Sequence, residues 1–276
     1  MSNQNQEKLT MKPLLMNTDQ ESISQNSLAT DKYCQNCGAL LYVYRIKLFG
    51  VTKHFPIACK CRINALEQIK LNEISTQKRR RLDRLFKQSN LGERFKNSSF
   101  DDFKISEESE FIFNKIKKYT FNFSENKTKS IILYGKPGTG KTLLVSSVIN
   151  KLISEGIPSV FQVVPDLLML IRSSFNNPNF TEEELMNGLK SCELLVLDDI
   201  GAERHKSQDD WPTERLFQII NNRYINSKAT LFTTNCSLEE LYNKLGARTF
   251  SRIVEMTEGY KFDMNKLSDW RIKNYI

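Results

Sequence analysis

The eight residues Gly135-Lys136-Pro137-Gly138-Thr139-Gly140-Lys141-Thr142 follow directly on the short apolar run Ile131 to Tyr134. Their spacing is G-x4-G-K-[ST], and the chemistry of that pattern is the grip of a polyphosphate. Glycines at 135, 138 and 140 let the backbone turn so that successive N–H groups face one phosphate at the start of a helix. Lys141 is placed to reach the β- and γ-phosphates, and the Thr142 hydroxyl to join a Mg²⁺ shell. The apolar stretch Leu143 to Ile153 supplies the helix that such a loop must open into. A chance match in a chain of this length is on the order of one in a hundred from residue frequencies, so MgATP is the expected ligand.

A phosphate loop needs a carboxylate on the metal side, delivered by a buried strand. Leu194-Leu195-Val196-Leu197-Asp198-Asp199 meets that demand, because four apolar residues running into acid describe a central parallel strand whose carboxyl end opens on a ligand crevice. Asp198 is expected to hold Mg²⁺, and Asp199 to orient or deprotonate the attacking water. Ser159 to Val163 and Ala229 to Thr234 are further short apolar or β-branched runs separated by helical stretches. The alternation implies an α/β fold with a parallel sheet flanked by helices. Asn235 ends the last of these strands, where its amide either positions the hydrolytic water or caps the next helix.

Four of the six cysteines form two tight pairs, Cys34 with Cys37 and Cys59 with Cys61, 21 residues apart. Soft ligands at that spacing suit a tetrahedral structural Zn²⁺ site, with His54 as the alternative to Cys61. Gly38 suits the tight turn after the first pair. Leu40 to Lys47 and Val51 to Ile57, turned at Gly50, read as the hairpin of a zinc ribbon. Cys192 and Cys236 stand alone and are expected to be small buried hydrophobes.

At 276 residues the chain is long enough for one α/β core and a small appendage, since domains run about 100 to 200 residues. The expected organisation is a flexible tail over 1–30, rich in Asn, Gln and Ser, then a zinc-binding unit over 31–62. A basic helical linker over 63–97 and an ATPase domain over 98–276 follow. The linker helix is read over Ile63 to Lys87 with apolar positions Leu66, Ile69, Ile74, Leu82 and Leu85, and Asn90, Gly92 and Lys96 to Ser99 as its exit. There is no basic start followed by an apolar stretch, and the most apolar region, Ser159 to Ile171, is too short and too interrupted to span a bilayer of about 20 residues. A cytoplasmic protein without membrane contact is expected. A net charge of +8 favours polyanionic partners, and ten Lys or Arg against four Asp or Glu between Arg62 and Lys96 concentrate it, including the run Lys78 to Arg81. That segment reads either as a solvated helix face or as a nucleic-acid contact.

Residues from about Leu91 to Ile276 resemble the helicase-loader branch of the AAA+ ATPases, the DnaC and DnaI type, with the IstB transposition ATPases nearby. The resemblance rests on Gly135 to Thr142, LLVLDDIGAE over Leu194 to Glu203, Thr233-Thr234-Asn235, LGARTFSRI over Leu245 to Ile253, and Ser268-Asp-Trp-Arg271. The paired cysteines resemble the zinc-bearing amino-terminal domain of DnaI-type loaders. The resemblance implies an ATP-dependent loader that binds a hexameric replicative helicase and places it on single-stranded DNA. It makes Asn235 the sensor I residue, Arg252 an arginine finger acting on a neighbouring subunit, and Arg271 the sensor II arginine in cis. Arg248, four residues before Arg252, faces the same way on a helix and is the alternative finger, and both could instead pair with Glu255 or Glu258. Arg271 beside Trp270 could instead rest on the ring. Many AAA+ proteins carry Asp-Glu where this chain has Asp198-Asp199, and the shorter second acid predicts slow hydrolysis, with Glu203 in reserve. Basic residues around Arg172 to Asn179 are further candidates for phosphate contacts. An IstB-like transposition helper and a nucleotide-gated adaptor with negligible hydrolysis are the competing functions.

Overall fold

The computed structural model describes residues 27–48, 50–86, 91–176, 180–202 and 210–270. The chain divides into two units, Met1–Asn72 and Glu73–Ile276. In the first, β1 (Ser27–Tyr33), β2 (Leu40–Leu48) and β3 (Val51–Ile57) form an antiparallel sheet in that order. The β2–β3 hairpin keeps one register from Tyr42 opposite Ile57 to Leu48 opposite Val51, and Gly50 turns it at φ +81°. None of the described residues of this unit is buried. Helix α1 (Lys60–Phe86) follows, and the division between the units falls inside it.

The second unit holds α2 (Gly92–Phe95), α3 (Glu107–Phe121), α4 (Phe123–Asn126), β4 (Ile131–Tyr134), α5 (Lys141–Ser154), β5 (Ser159–Val163) and α6 (Val164–Ser173). It continues with α7 (Glu182–Ser191), β6 (Leu194–Asp198), α8 (Trp211–Ile225), β7 (Ala229–Thr234), α9 (Leu238–Met256) and β8 (Lys261–Asp263). Five parallel strands stand in the order β5-β6-β7-β4-β8. Every residue of β6 and β7 is buried, as strands covered on both faces require. Because side chains alternate across a sheet, Leu195 and Leu197 enter one core with Leu167, Leu189 and Ile219, while Leu194 and Val196 enter the other with Val145, Val148 and Ile116. Arg223, wholly buried, ties the amino-terminal ends of β6 and β7 together. Its guanidinium donates to the Thr230 hydroxyl and to the carbonyls of Leu189, Cys192 and Ala229. Burial pulls its pKa below the ordinary arginine range.

The four strands expected from Ile131, Ser159, Leu194 and Ala229 form with the expected bounds, and the α/β class with a parallel sheet holds. Other boundaries differ. Residues 1–26 of the expected tail lie outside the described residues, and Ser27 to Thr30 already belong to β1, where Leu28 pairs with Val43 and Ala29 with Tyr42. A neighbouring strand supplies backbone partners that composition does not reveal. Helix α1 begins at Lys60 rather than Ile63 because the Cys59 carbonyl accepts from the N–H groups of Arg62 and Ile63. Leu66, Ile69 and Ile74, expected as its apolar face, are exposed.

The expected linker exit is no spacer. Leu91 is buried, Phe95 packs on the second core, and Asn150 of α5 donates to the carbonyls of Phe95 (2.9 Å) and Ser98 (2.8 Å). Ser99 and Asp102 close a capping box on the short turn Phe100–Asp102. Buried Ser98 and the Phe95 carbonyl are thus tied to α5, while Lys96, Asn97 and Ser99 stay exposed and Asn90 lies outside the described residues. Among the described residues no helix is long and apolar enough to cross a membrane.

Candidate nucleotide site and cysteine cluster

The strand ends of the parallel sheet open on a cleft of about 790 Å³ lined by Lys141, Thr142, Asp198, Asp199, Thr233 and Asn235 among others. Because β7 is inserted between β4 and β6, the phosphate-loop strand and the acidic strand each border the strand that leads into Asn235. The loop residues Gly135 to Gly140 lead into α5, whose first residue is Lys141 and whose N-cap is Gly140 at φ +92°. Gly138 and Gly140 are required twice over, by positive φ and by close neighbours. A Cβ on Gly138 would lie 1.9 Å from the Asp269 carboxylate, and one on Gly140 2.6 Å from the Phe103 ring. The segment after β8 packs on the loop as well: Lys136 N–H donates to Asn265 Oδ1 (3.0 Å) and Trp270 N–H to the Gly138 carbonyl (3.2 Å).

Lys141, almost wholly buried, donates from Nζ to the carbonyls of Gly135 and Lys136, both at 2.7 Å, and so holds the loop closed on itself. Thr139 Oγ1 adds a bond to the Lys136 carbonyl at 3.0 Å. The N–H groups of a helix start together with a buried ammonium make an anion site, and a triphosphate offers that ammonium stronger acceptors than carbonyls.

On the metal side, Thr142 Oγ1 donates to both oxygens of Asp198, at 3.1 and 3.2 Å. Thr233 Oγ1 donates to Asp198 Oδ1 at 2.6 Å and accepts from the Asp199 N–H at 2.9 Å. Burial raises the Asp198 pKa and the neighbouring Asp199 adds to the rise, while the Thr233 and Thr142 hydroxyls and Lys141 oppose it. A hydroxyl and a carboxylate in contact are hard oxygen donors, the set a magnesium ion takes. Asp199 stands in the left-handed region at φ +58°, a conformation costing an L-residue about 1–2 kcal/mol. Its Oδ1 accepts from Asn235 Nδ2 at 2.7 Å. Asn235 does not cap α9. Ser237 does, in a capping box with Glu240, so the Asn235 amide is directed to the second acid.

Arg252 and Arg248 lie together on α9, with their guanidinium carbons 5.1 and 4.4 Å from the centre of the Phe217 ring, and neither lines the cleft of its own chain. Arg252 donates to Asn221 and, at 2.9 Å, to the Arg248 carbonyl. Glu255 instead accepts from Tyr224. Arg271 and Glu203 lie outside the described residues, as do residues 177–179 of the basic stretch after Arg172. It is Lys104 whose ammonium stands over the Trp270 ring, at 5.5 Å.

In the first unit, the thiols of Cys34, Cys37, Cys59 and Cys61 lie within 4.8 Å of one another. The first knuckle closes through Gly38 N–H to the Cys34 carbonyl and Cys34 N–H to the Ala39 carbonyl, both 2.8 Å, with Gly38 at φ +66°. The second pair sits at the start of α1 rather than in a matching knuckle. His54, on β3 opposite Arg45, is not among the clustered ligands. Hydrogen bonds from the backbone of Cys37 and Asn36 lower the Cys34 pKa to about 6, whereas its thiol neighbours, Cys59 first, push Cys61 up. A cluster in which one thiolate makes the next harder to form is one that a cation relieves. Four thiols in mutual reach match the donor set of a tetrahedral zinc site. Cys192 and Cys236 are buried, as expected.

Thr233 and Asp269 lie inside recognised motifs but carried no expected role, and Phe103 and Asn265 lie in no motif. The role of Thr233 depends on which strand lies beside it. Phe103 and Asn265 come from segments without periodicity.

Fold and site together define a P-loop ATP-binding protein of the AAA+ type. The model of the IstB-like ATP binding proteins matches residues 60–254, and the chain belongs to that family. The chain is 29% identical over 174 residues to the replicative helicase loader DnaC of Escherichia coli K12, covering 63% of this chain and 69% of that one. It is 27% identical over 250 residues to the replicative helicase loader DnaI of Bacillus subtilis, covering 84% and 76%. The DnaI match covers more of the chain than Glu73–Ile276 contains, so it extends into the cysteine-bearing unit. A crystal structure of the DnaC helicase loader superposes with a TM-score of 0.55 at 27% identity, over 62% of this chain and 99% of that one.

Proposed function

We propose that this chain is an ATP-hydrolysing loader that binds a hexameric replicative helicase and helps place it on single-stranded DNA in the cytoplasm. The observation that carries the reading is the chain of contacts Thr142–Asp198–Thr233–Asp199–Asn235 beside the phosphate loop, in a chain whose relatives are named DnaC and DnaI loaders.

In this reading the loop from Gly135 to Gly140, with Lys136, Pro137 and Thr139 between the glycines, wraps the β-phosphate. Lys141 leaves its carbonyl partners for the β- and γ-phosphates. Thr142 and Asp198 hold magnesium, which when bound neutralises charge on the phosphates. Asp199, fixed by Asn235, orients the attacking water and draws off its proton. Arg252 of a neighbouring copy stabilises charge on the γ-phosphate, with Arg248 beside it on the same ring, and Arg271 acts in cis. Cleavage then waits on assembly, and hydrolysis is slow because Asp199 is one methylene shorter than the glutamate common at its position. Cys34, Cys37, Cys59 and Cys61 hold a structural zinc ion.

The transposition-helper reading shares the ATPase core, and the DnaI match beyond that core favours loading. The test is capture of a hexameric replicative helicase by the full chain with and without ATP, followed by helicase loading on single-stranded circles. No helicase binding in either nucleotide state rules the loader out. Lys141→Ala separates an ATPase from an adaptor, because an adaptor has no phosphate release to lose.

A further inference from the structure

We propose that Thr233 is a positioning residue that sets both acids of the nucleotide site through one hydroxyl. The inference rests on the ATPase reading and deepens it. Thr233 is the penultimate residue of β7 and is almost wholly buried. At a buried strand position packing alone favours valine, which has the same shape without the polar atom. The hydroxyl therefore acts through its bonds, and both run to the acids at the end of β6. Oγ1 donates its single proton to Asp198 Oδ1 at 2.6 Å and accepts the Asp199 N–H at 2.9 Å.

The two bonds do different things. The first limits rotation of the Asp198 carboxylate, which Thr142 meets on both oxygens. The second anchors the backbone of Asp199 in its left-handed conformation, and that conformation aims the Asp199 carboxylate at Asn235 Nδ2. Each bond polarises the other, since an amide donated to the hydroxyl oxygen strengthens the proton it offers to the carboxylate. The adjoining Thr234 has a separate task, donating to the Ile200 carbonyl at 2.6 Å. The Thr233 hydroxyl bonds to the two acids rather than to the phosphate-loop backbone or Lys141, so its influence should reach the metal side of the site and spare the phosphate grip.

The experiment compares wild type, Thr233→Val and Thr233→Ser as full chains. Affinity for a fluorescent ATP analogue is measured in EDTA and in magnesium, alongside kcat and KM for hydrolysis. For the valine variant, EDTA affinity stays within about twofold of wild type, while the magnesium-dependent gain in affinity and kcat each fall about 10- to 100-fold, the range for outer-shell partners of metal ligands. The serine variant recovers both. Valine with wild-type kcat and magnesium gain overturns the role. So does serine as impaired as valine, which would trace the loss to the methyl group, or an EDTA affinity that falls in step, which would mark general damage. Wild-type protein inert toward nucleotide overturns the ATPase reading and this role with it.

Discussion

In Glu73–Ile276 the sheet buries every residue of β6 and β7, whereas none of the described residues of Met1–Asn72 is buried. The first arrangement hangs a polar site on the end of an apolar core: Asp198, Thr233 and Lys141 are held because the strands and helix beneath them are packed. The second has a sheet and a helix start with no buried side chain among the described residues, and its four paired thiols lie within 4.8 Å of one another. Small units without a core need a metal or disulfides for stability. One unit therefore supports its site, while in the other a metal held by the four thiols would support the unit.

That contrast breaks most visibly under chelation. Structural zinc in small domains contributes about 10 kcal/mol or more, so metal removal or Cys61→Ser should melt the strands of Met1–Asn72 in circular dichroism and leave nucleotide affinity of the full chain within about twofold. A first unit that keeps its backbone signals after verified metal loss would end the idea of a metal-held fold.

Next in size is Asp199→Asn. Asparagine tolerates the left-handed backbone as aspartate does, so the fold and the affinity for ATP should persist while kcat drops about 10²- to 10⁴-fold, the range for a positioned general base. Unchanged turnover would transfer the water-activating role elsewhere.

Arg223→Met probes the core that the site hangs from. Removing a buried guanidinium that serves several carbonyls should cost about 3 kcal/mol and lower the calorimetric Tm of the second unit, with thiol reactivity of the first unit unaltered. A shift in both would mean that the units share stability.

The smallest effect is expected from Asp198→Asn. Burial raises this carboxyl above its unfolded value. The stability linked to its protonated form is thus complete below the ordinary carboxylate range and is lost as pH rises through the raised folded value. A permanently neutral amide escapes that loss, so the variant without nucleotide should melt slightly above wild type at neutral pH, with the gap closing in acid. A variant that melts lower at neutral pH would show that the hydroxyl contacts outweigh the burial.

Much of the site was legible in the chain because it is local. The glycine spacing from Gly135 to Gly140, Lys141 and Thr142 lie within eight residues, and an apolar run ending in Asp198-Asp199 marks a buried strand wherever it is placed. The same holds for the strand bounds at Ser159–Val163 and Ala229–Thr234 and for the cysteine pairs. The segment Leu91 to Ser99 misled because Ser98 and the backbone of Phe95 look solvated in isolation. Their partner, Asn150, lies far along the chain. The start of β1 inside an apparently featureless tail escaped for the same reason, since its pairing is with β2 rather than within itself.

Residue order by itself thus determined that a phosphate loop, an acidic strand end and a four-thiol set exist, since each depends on neighbours within a few residues. Only the tertiary structure decided that β7 stands between β4 and β6, that Thr233 bridges Asp198 and Asp199, that Ser237 rather than Asn235 caps α9, and that Asn265 and Asp269 press on the loop. Strand order and register set those contacts, and a polar side chain has no local pattern that names a partner dozens of residues away.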